Sequence, residues 1–225
     1  MIKPYPSIVN GSLGLAKTLT SLPSQLVSLY KLPLKVALCL PCNYGSPSGS
    51  GDLYVGGGPY FMMPYPKDVS TLFASTPLLA TDPSRGEYFI DVQSIKIGGN
   101  SIPVENKLGT KISTMDPYTV LHTSTYKALV LAFSKKAKMA KAPAVKPFGS
   151  CLSSIGLGNT MTGSGVPVIE LVLGGGAKWR IYGSNSLVKV SKDVVCLGFV
   201  DGGVYLKTAM VIGGFQMEDN LVGAG

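Results

Sequence analysis

Few side chains in this 225-residue chain are equipped for covalent or acid–base chemistry. It has one histidine, His122, and four cysteines, Cys39, Cys42, Cys151 and Cys196. A Ser-His-Asp triad would draw on His122, yet no Gly-x-Ser-x-Gly elbow precedes a helix in the required order. We expect His122 to be a surface or helix-capping residue. A zinc site needs four soft ligands in close groups. Cys39-Leu-Pro-Cys42 supplies one pair, whereas Cys151, Cys196 and His122 are scattered, so no metal is expected. A redox Cys-x-x-Cys pair wants a helix after it, and "NYGSPSGSG" follows instead. Disulfides are the better reading, with Cys151 bonded to Cys196. Closing that loop is worth roughly 3–4 kcal/mol. The runs Gly56–Gly58 and Gly174–Gly176 lack the Lys-Ser/Thr of a phosphate loop and suit hairpin turns.

Paired carboxylates are the remaining option. Two acids that share a proton can cleave a peptide, provided each lies in a loop patterned apolar, apolar, Asp, Thr/Ser, Gly. The glycine lets the loop turn so that the acids meet. No Asp-Thr-Gly or Asp-Ser-Gly occurs in the chain. Asp201-Gly202-Gly203 comes nearest, but it lacks the hydroxyl residue and reads as a turn. The stretch "GTKISTMDPYT" (109–119) has the approach of such a loop without its acid.

The elements that would position these residues are mostly strands. Charged residues are scarce, at 14%, while there are 28 Gly and 16 Pro, which favours short strands joined by tight turns over a helical bundle. A short helix is predicted from Ser21 or Pro23, where a capping serine precedes a proline. "KVALCL" (35–40) and "DLYVGGG" (52–58) read as a hairpin. "PYPKDVSTLFASTPLLATDPSRG" (64–86) reads as a connection with a short strand at "TPLL". The run 87–99 alternates with period two: Tyr88, Ile90 and Val92 share one face, Phe89, Asp91 and Gln93 the other. A Gly98-Gly99 hairpin turn into "NSIPV" follows. Residues 123–141 predict a helix, with Tyr126, Leu129, Val130 and Phe133 as its apolar stripe and Thr123 or Ser124 as cap. Lys135, Lys136, Lys138 and Lys141 collect at its C-terminal end, where the helix dipole favours cations. The last third predicts strands at 167–173, 178–183, 186–190, 194–200 and 209–214, arranged as an antiparallel sandwich or barrel-like lobe.

A net charge of +8 suits an acidic partner. No apolar run of about 18 residues is present, so no membrane span is expected. The opening "MIKPYPSIVNGS" has no basic-then-apolar secretory pattern, yet Asn10-Gly11-Ser12 forms a glycosylation sequon.

"YFIDVQSIKIGGNSIPV", "GTKISTMDPYTVLHTSTYKAL", "VVCLGFVDGG" and "VIGGFQMEDNLV" closely resemble the plant pepsin-like proteins that inhibit microbial cell-wall hydrolases. These are the xylanase inhibitors, xyloglucan-specific endoglucanase inhibitors, extracellular dermal glycoproteins and basic 7S globulins. "SLPSQL" and "DLYVGGGPY" resemble the end of their first lobe. The resemblance spans nearly the whole chain and implies a mostly β, pepsin-like aspartic protease fold with an incomplete first lobe. Residues 1–66 would be the first-lobe remnant, 67–86 the connection, and 87–225 the second lobe without its last strands, so open strand edges are expected. The catalytic triplet then falls on Ser113, Thr114 and Met115. Serine cannot hold a carboxylate's charge, and methionine is a poor substitute for the turning glycine. Asp116 comes three positions late, before Pro117, and should point elsewhere. The implied protein is therefore a catalytically inactive, extracellular or cell-wall defence protein, its signal peptide outside this chain. It needs no cofactor, nucleic acid or membrane, and its partner is a microbial endoglucanase or xylanase. In the family, second-lobe loops plug the glycosidase cleft and a basic side chain pairs with the catalytic carboxylates. The candidate contact loops are 151–166, with Met161 and Thr162, and 200–208, with Tyr205 and Lys207. Met161 stands where inhibiting relatives present arginine. The family's partner for Cys39, near the C-terminus, is absent, leaving Cys39 to pair with Cys42 or stay reduced. An aspartic endopeptidase and a storage or peptide-binding globulin are the alternative readings.

Overall fold

A computed structural model describes residues 13–41, 50–62, 67–80, 86–105 and 108–225. Asn10 and Cys42, and with them the sequon and the Cys39–Cys42 pairing, lie outside the described residues.

The described chain begins with helix α1 (Leu22–Tyr30), strands β1 (Val36–Cys39) and β2 (Asp52–Val55), and a 3-10 turn over Ser70–Leu72. Strands β3 (Tyr88–Ile90), β4 (Val92–Ile97), β5 (Asn100–Pro103), β6 (Thr110–Ile112) and β7 (Thr119–Leu121) lead into helix α2 (Thr123–Ala137). Next come β8 (Lys141–Ala142), β9 (Cys151–Ser153), β10 (Asn159–Thr160), β11 (Gly163–Ser164), β12 (Ile169–Leu173) and β13 (Lys178–Ile181). A helical turn α3 (Gly183–Ser186) precedes β14 (Leu187–Lys189), β15 (Val194–Leu197), β16 (Phe199–Asp201) and β17 (Met210–Ile212). The turn α4 (Gly214–Met217) and β18 (Leu221–Ala224) finish the chain.

Both predicted helices form, and their caps follow local chemistry. Ser21 Oγ accepts from Ser24 N, with Pro23 in the first turn. For α2 the cap is His122 rather than Thr123 or Ser124, because Ser124 N donates to His122 Nδ1 while Ser124 Oγ donates to Glu105 Oε1. Tyr126, Leu129 and Phe133 bury against β4 and β5. The helix stops at Ala137, so Lys141 belongs to β8, not to the helix end.

The β1–β2 hairpin forms as predicted, and so does the β4–β5 hairpin, whose Gly98 (φ 53) and Gly99 (φ 87) both take the left-handed conformation a two-residue turn demands. The predicted strand in "TPLL" shrinks to one bridge, Leu78 to Ile90.

Two predicted strands are in fact pairs. The run 87–99 breaks at Asp91, whose carbonyl accepts Gly174 N, so β3 and β4 enter different sheets. The run 194–200 breaks at Gly198, where any side chain would meet the Phe215 ring at 2.8 Å. There β15 stays in the sheet β14-β15-β9-β8, and β16 joins β16-β7-β17-β6-β3. The lobe is not wholly antiparallel, since β16 runs parallel to β7 and β17 parallel to β6. A third sheet, β13-β12-β4-β5, packs Ile95, Ile97, Ile169 and Leu171 into the main core. Finally, β18, which the sequence did not signal, pairs antiparallel with β1 in a sheet β18-β1-β2 that joins the two ends of the described chain.

Candidate functional site

The loop between β6 and β7, residues 113–118, spans the end of β17. That follows from the pairing, for β17 lies between the two strands, parallel to β6 and antiparallel to β7. Ser113 N donates to Ile212 O at 3.0 Å, tying the loop's start to the end of β17. Beyond β17, Gly214 N donates to Asp116 O (2.8 Å) and Phe215 N to Pro117 O (2.9 Å), so the first amides of α4 hold the loop's crest. Gly213 makes this approach possible, because a Cβ there would lie 2.8 Å from Asp116 O.

Within the loop, Ser113 is buried. Its hydroxyl donates to Asp116 Oδ2 at 3.1 Å and accepts from Met115 N at 3.3 Å. Thr114 and Met115 face solvent, Met115 being 56% exposed. The loop thus presents a neutral hydroxyl at its base and a thioether at its tip. Its single carboxylate, Asp116, is already engaged by the serine.

Beneath the loop lies a residue the sequence reading missed. Gln216 is fully buried; its Oε1 accepts from Thr119 N (2.9 Å) and Thr119 Oγ1 (2.8 Å). Its Nε2 donates to Asn185 O (3.1 Å) and Gly198 O (2.8 Å). Thr119 Oγ1 in turn accepts Gly213 N at 3.2 Å. This neutral network joins β7, α3, α4 and the β15–β16 break. A glutamine amid a run of apolar residues was the only local signal for it. Among the described residues, no three His, Cys, Asp or Glu side chains gather as a metal site, and no helix is long and apolar enough to cross a membrane.

Residues 87–223 match the family described as xylanase inhibitor C-terminal. The chain belongs to that family. A probable aspartic proteinase GIP2 from Nicotiana benthamiana is 39% identical over 99% of this chain, and gamma conglutin 1 from Prunus dulcis is 40% identical over 98%. The chain spans only about half of these relatives, 55% and 51% of their lengths. The crystal structure of edgp matches with a TM-score of 0.86 and 41% identity, over 97% of this chain and 58% of that one. These matches show the pepsin-like fold.

The disulfide of this xylanase-inhibitor-family chain joins Cys151 and Cys196, which face each other across β9 and β15 and are both buried. The two candidate contact loops do not come together. The Met161 loop is anchored on α3, where Ser184 N donates to Thr162 O, and α3 reaches α4 through Asn185 Nδ2, which donates to Phe215 O. It therefore lies toward the Ser113 end of the lobe. The loop carrying Tyr205 and Lys207 leaves the far end of β16, which runs alongside β7 away from Ser113. It is bound instead to the start of α2: His122 Nε2 donates to Val204 O (3.1 Å), and Thr123 Oγ1 donates to Asp201 Oδ1 (2.6 Å). Asp201 Oδ1 also accepts Gly203 N (2.9 Å), so Asp201-Gly202-Gly203 is a turn. The Thr123 hydrogen bond chiefly holds the Asp201 carboxyl below the usual carboxylate value.

Proposed function

We propose that this chain is a catalytically inactive pepsin-like protein that binds and inhibits microbial cell-wall glycoside hydrolases, an endoglucanase or xylanase, outside the plant cell. The observation that carries the absence of catalysis is Ser113, a buried hydroxyl where the resemblance places an acid, already committed to Asp116 and the Met115 amide. A hydroxyl there neither shares a proton nor activates water as a carboxylate pair does. Membership of the xylanase inhibitor C-terminal family supports the inhibitory part, and the positive net charge suits an acidic cleft.

Two other readings draw on relatives' names. The probable aspartic proteinase suggests an endopeptidase, and the gamma conglutin a storage or peptide-binding role. One experiment separates the three. The purified chain is assayed for casein cleavage at acid pH with and without pepstatin, for inhibition of a panel of microbial endoglucanases and xylanases, and for capture of peptides. Inhibition without proteolysis is expected. Pepstatin-sensitive cleavage overturns the inactive assignment, and capture of peptides with no effect on any hydrolase overturns the inhibitory one.

A further inference from the structure

A groove of about 550 Å³ opens at the C-terminal end of α2. It forms where the β8–β9 pairing ends. Ser153 N donates to Ala140 O (2.8 Å), and beyond that bond the two segments part. One runs back through Met139 to the helix. The other turns at Leu157, whose amide donates to Ser154 O (3.1 Å). The walls are mostly small or apolar, with Ala137, Met139, Ala140, Ile155 and Leu157 among them, and one charged side chain, Lys138, lines the groove.

Lys138 occupies an uncommon place. It caps α2 with φ 53, and its amide donates to Ser134 O (3.3 Å). Glycine is the usual residue at such a left-handed helix end, because a Cβ there is strained. Lys135 and Lys136 already meet the helix dipole from the last turn. A third lysine therefore sits where the backbone favours glycine and where the groove opens.

The charge around it is uncompensated. Lys127, Lys135, Lys136, Lys138, Lys141 and Lys146 all lie between Asp116 and Glu170, and that stretch holds no carboxylate. Lys135, Lys136, Lys138 and Lys141 are exposed, and none is ion-paired among the described residues. Asp193, the one acid on the adjoining β14–β15 turn, follows Lys192 directly. The groove thus calls for an anion.

The lining narrows the class. It contains no aromatic ring on which an unpaired base would stack and no arginine fork for a phosphate. A flat lipid surface would leave the groove empty. A sugar ring suits it, since its C–H faces pack on small apolar walls while a ring carboxylate meets an ammonium.

We infer that this groove binds an acidic polysaccharide, a chain whose charges are sugar carboxylates. Lys138 meets one carboxylate inside the groove, and Lys135 and Lys141, three residues to either side along the chain, meet those of neighbouring rings. This site goes beyond the inhibitory reading and does not depend on it.

The test is calorimetric titration of the full chain with polygalacturonate. Binding should weaken steeply between about 50 and about 500 mM NaCl. Full methyl esterification keeps the sugar chain and removes its charge, and should weaken binding about tenfold or more. Lys138→Gly should cost about fivefold or more in affinity. Glycine is at home at that backbone position, so thermal unfolding of this variant should be no lower than the parent's. Lys207→Gln removes the same charge beside the other end of α2 and should stay within about twofold. No binding of polygalacturonate, equal losses in Lys138→Gly and Lys207→Gln, or unchanged affinity for the esterified chain overturns the inference. Tighter binding of duplex DNA or of phosphatidylserine vesicles at the same salt also overturns it, in favour of a phosphate partner. No hydrolase enters this assay, so its failure leaves the inhibitory reading standing.

Discussion

Ser113 Oγ donates to Asp116 Oδ2 at 3.1 Å, so the loop's only carboxylate is turned back onto the serine at the loop's base. The pair is closed on itself. Both groups are spent on holding a turn, and the tip beyond them is the exposed Met115.

Placing an acid at Ser113 should not confer catalysis. Ser113→Asp would put two carboxylates about 3 Å apart at a buried site, and one of them would be forced to keep its proton. Its folded pKa is then raised above the unfolded value. The penalty is absent at low pH, where both states are protonated, and appears as pH rises past the unfolded value. We expect the variant to match the parent below about pH 4 and to be about 2–3 kcal/mol less stable at pH 7. Thermal unfolding at the two pH values checks this, and the variant should cleave no casein.

Gln216 should be among the most sensitive positions in the lobe. Gln216→Leu keeps the approximate volume but strands the Thr119 amide and the carbonyls of Asn185 and Gly198 in a buried setting. The expected loss is about 2–4 kcal/mol, read from urea unfolding. A change below about 0.5 kcal/mol would mean that the network is not holding the loop.

The turn at Asp201 should respond to acid. Because its folded pKa lies below the ordinary 3.8, chiefly through the Thr123 hydroxyl, its anchoring is fully present above 3.8 and is lost as pH falls through the lower folded value. The Gly203 amide resonance should therefore titrate with a midpoint below 3.8. In Asp201→Ala that titration should vanish, and the amides of residues 202–206 should exchange faster at pH 6.

Several of these features were legible in the residues alone because short-range forces decide them. The Ser21-Leu-Pro start of α1, the Tyr126–Leu129–Phe133 stripe and the Gly98-Gly99 turn each depend on neighbours within a few positions. The lack of charge at Ser113 was equally plain, since residue type by itself decides it. The breaks at Asp91 and Gly198 were not visible. Each run reads locally as one strand, and each break is imposed by a distant segment, Gly174 in one case and Phe215 in the other.

The sequence by itself determined which residues could do chemistry and which could not: one histidine, no Asp-Thr/Ser-Gly triplet, and hydrophobic periods that specify strands and one long helix. Tertiary structure alone decided how those pieces face one another. Parallel pairing of β16 with β7 and of β17 with β6 sends the Met161 and Lys207 loops to different ends of the lobe. The physical reason is that side-chain periodicity records which face of a strand is buried, whereas the direction and neighbour of that strand depend on hydrogen bonds with segments as distant along the chain as Val36 and Ala224.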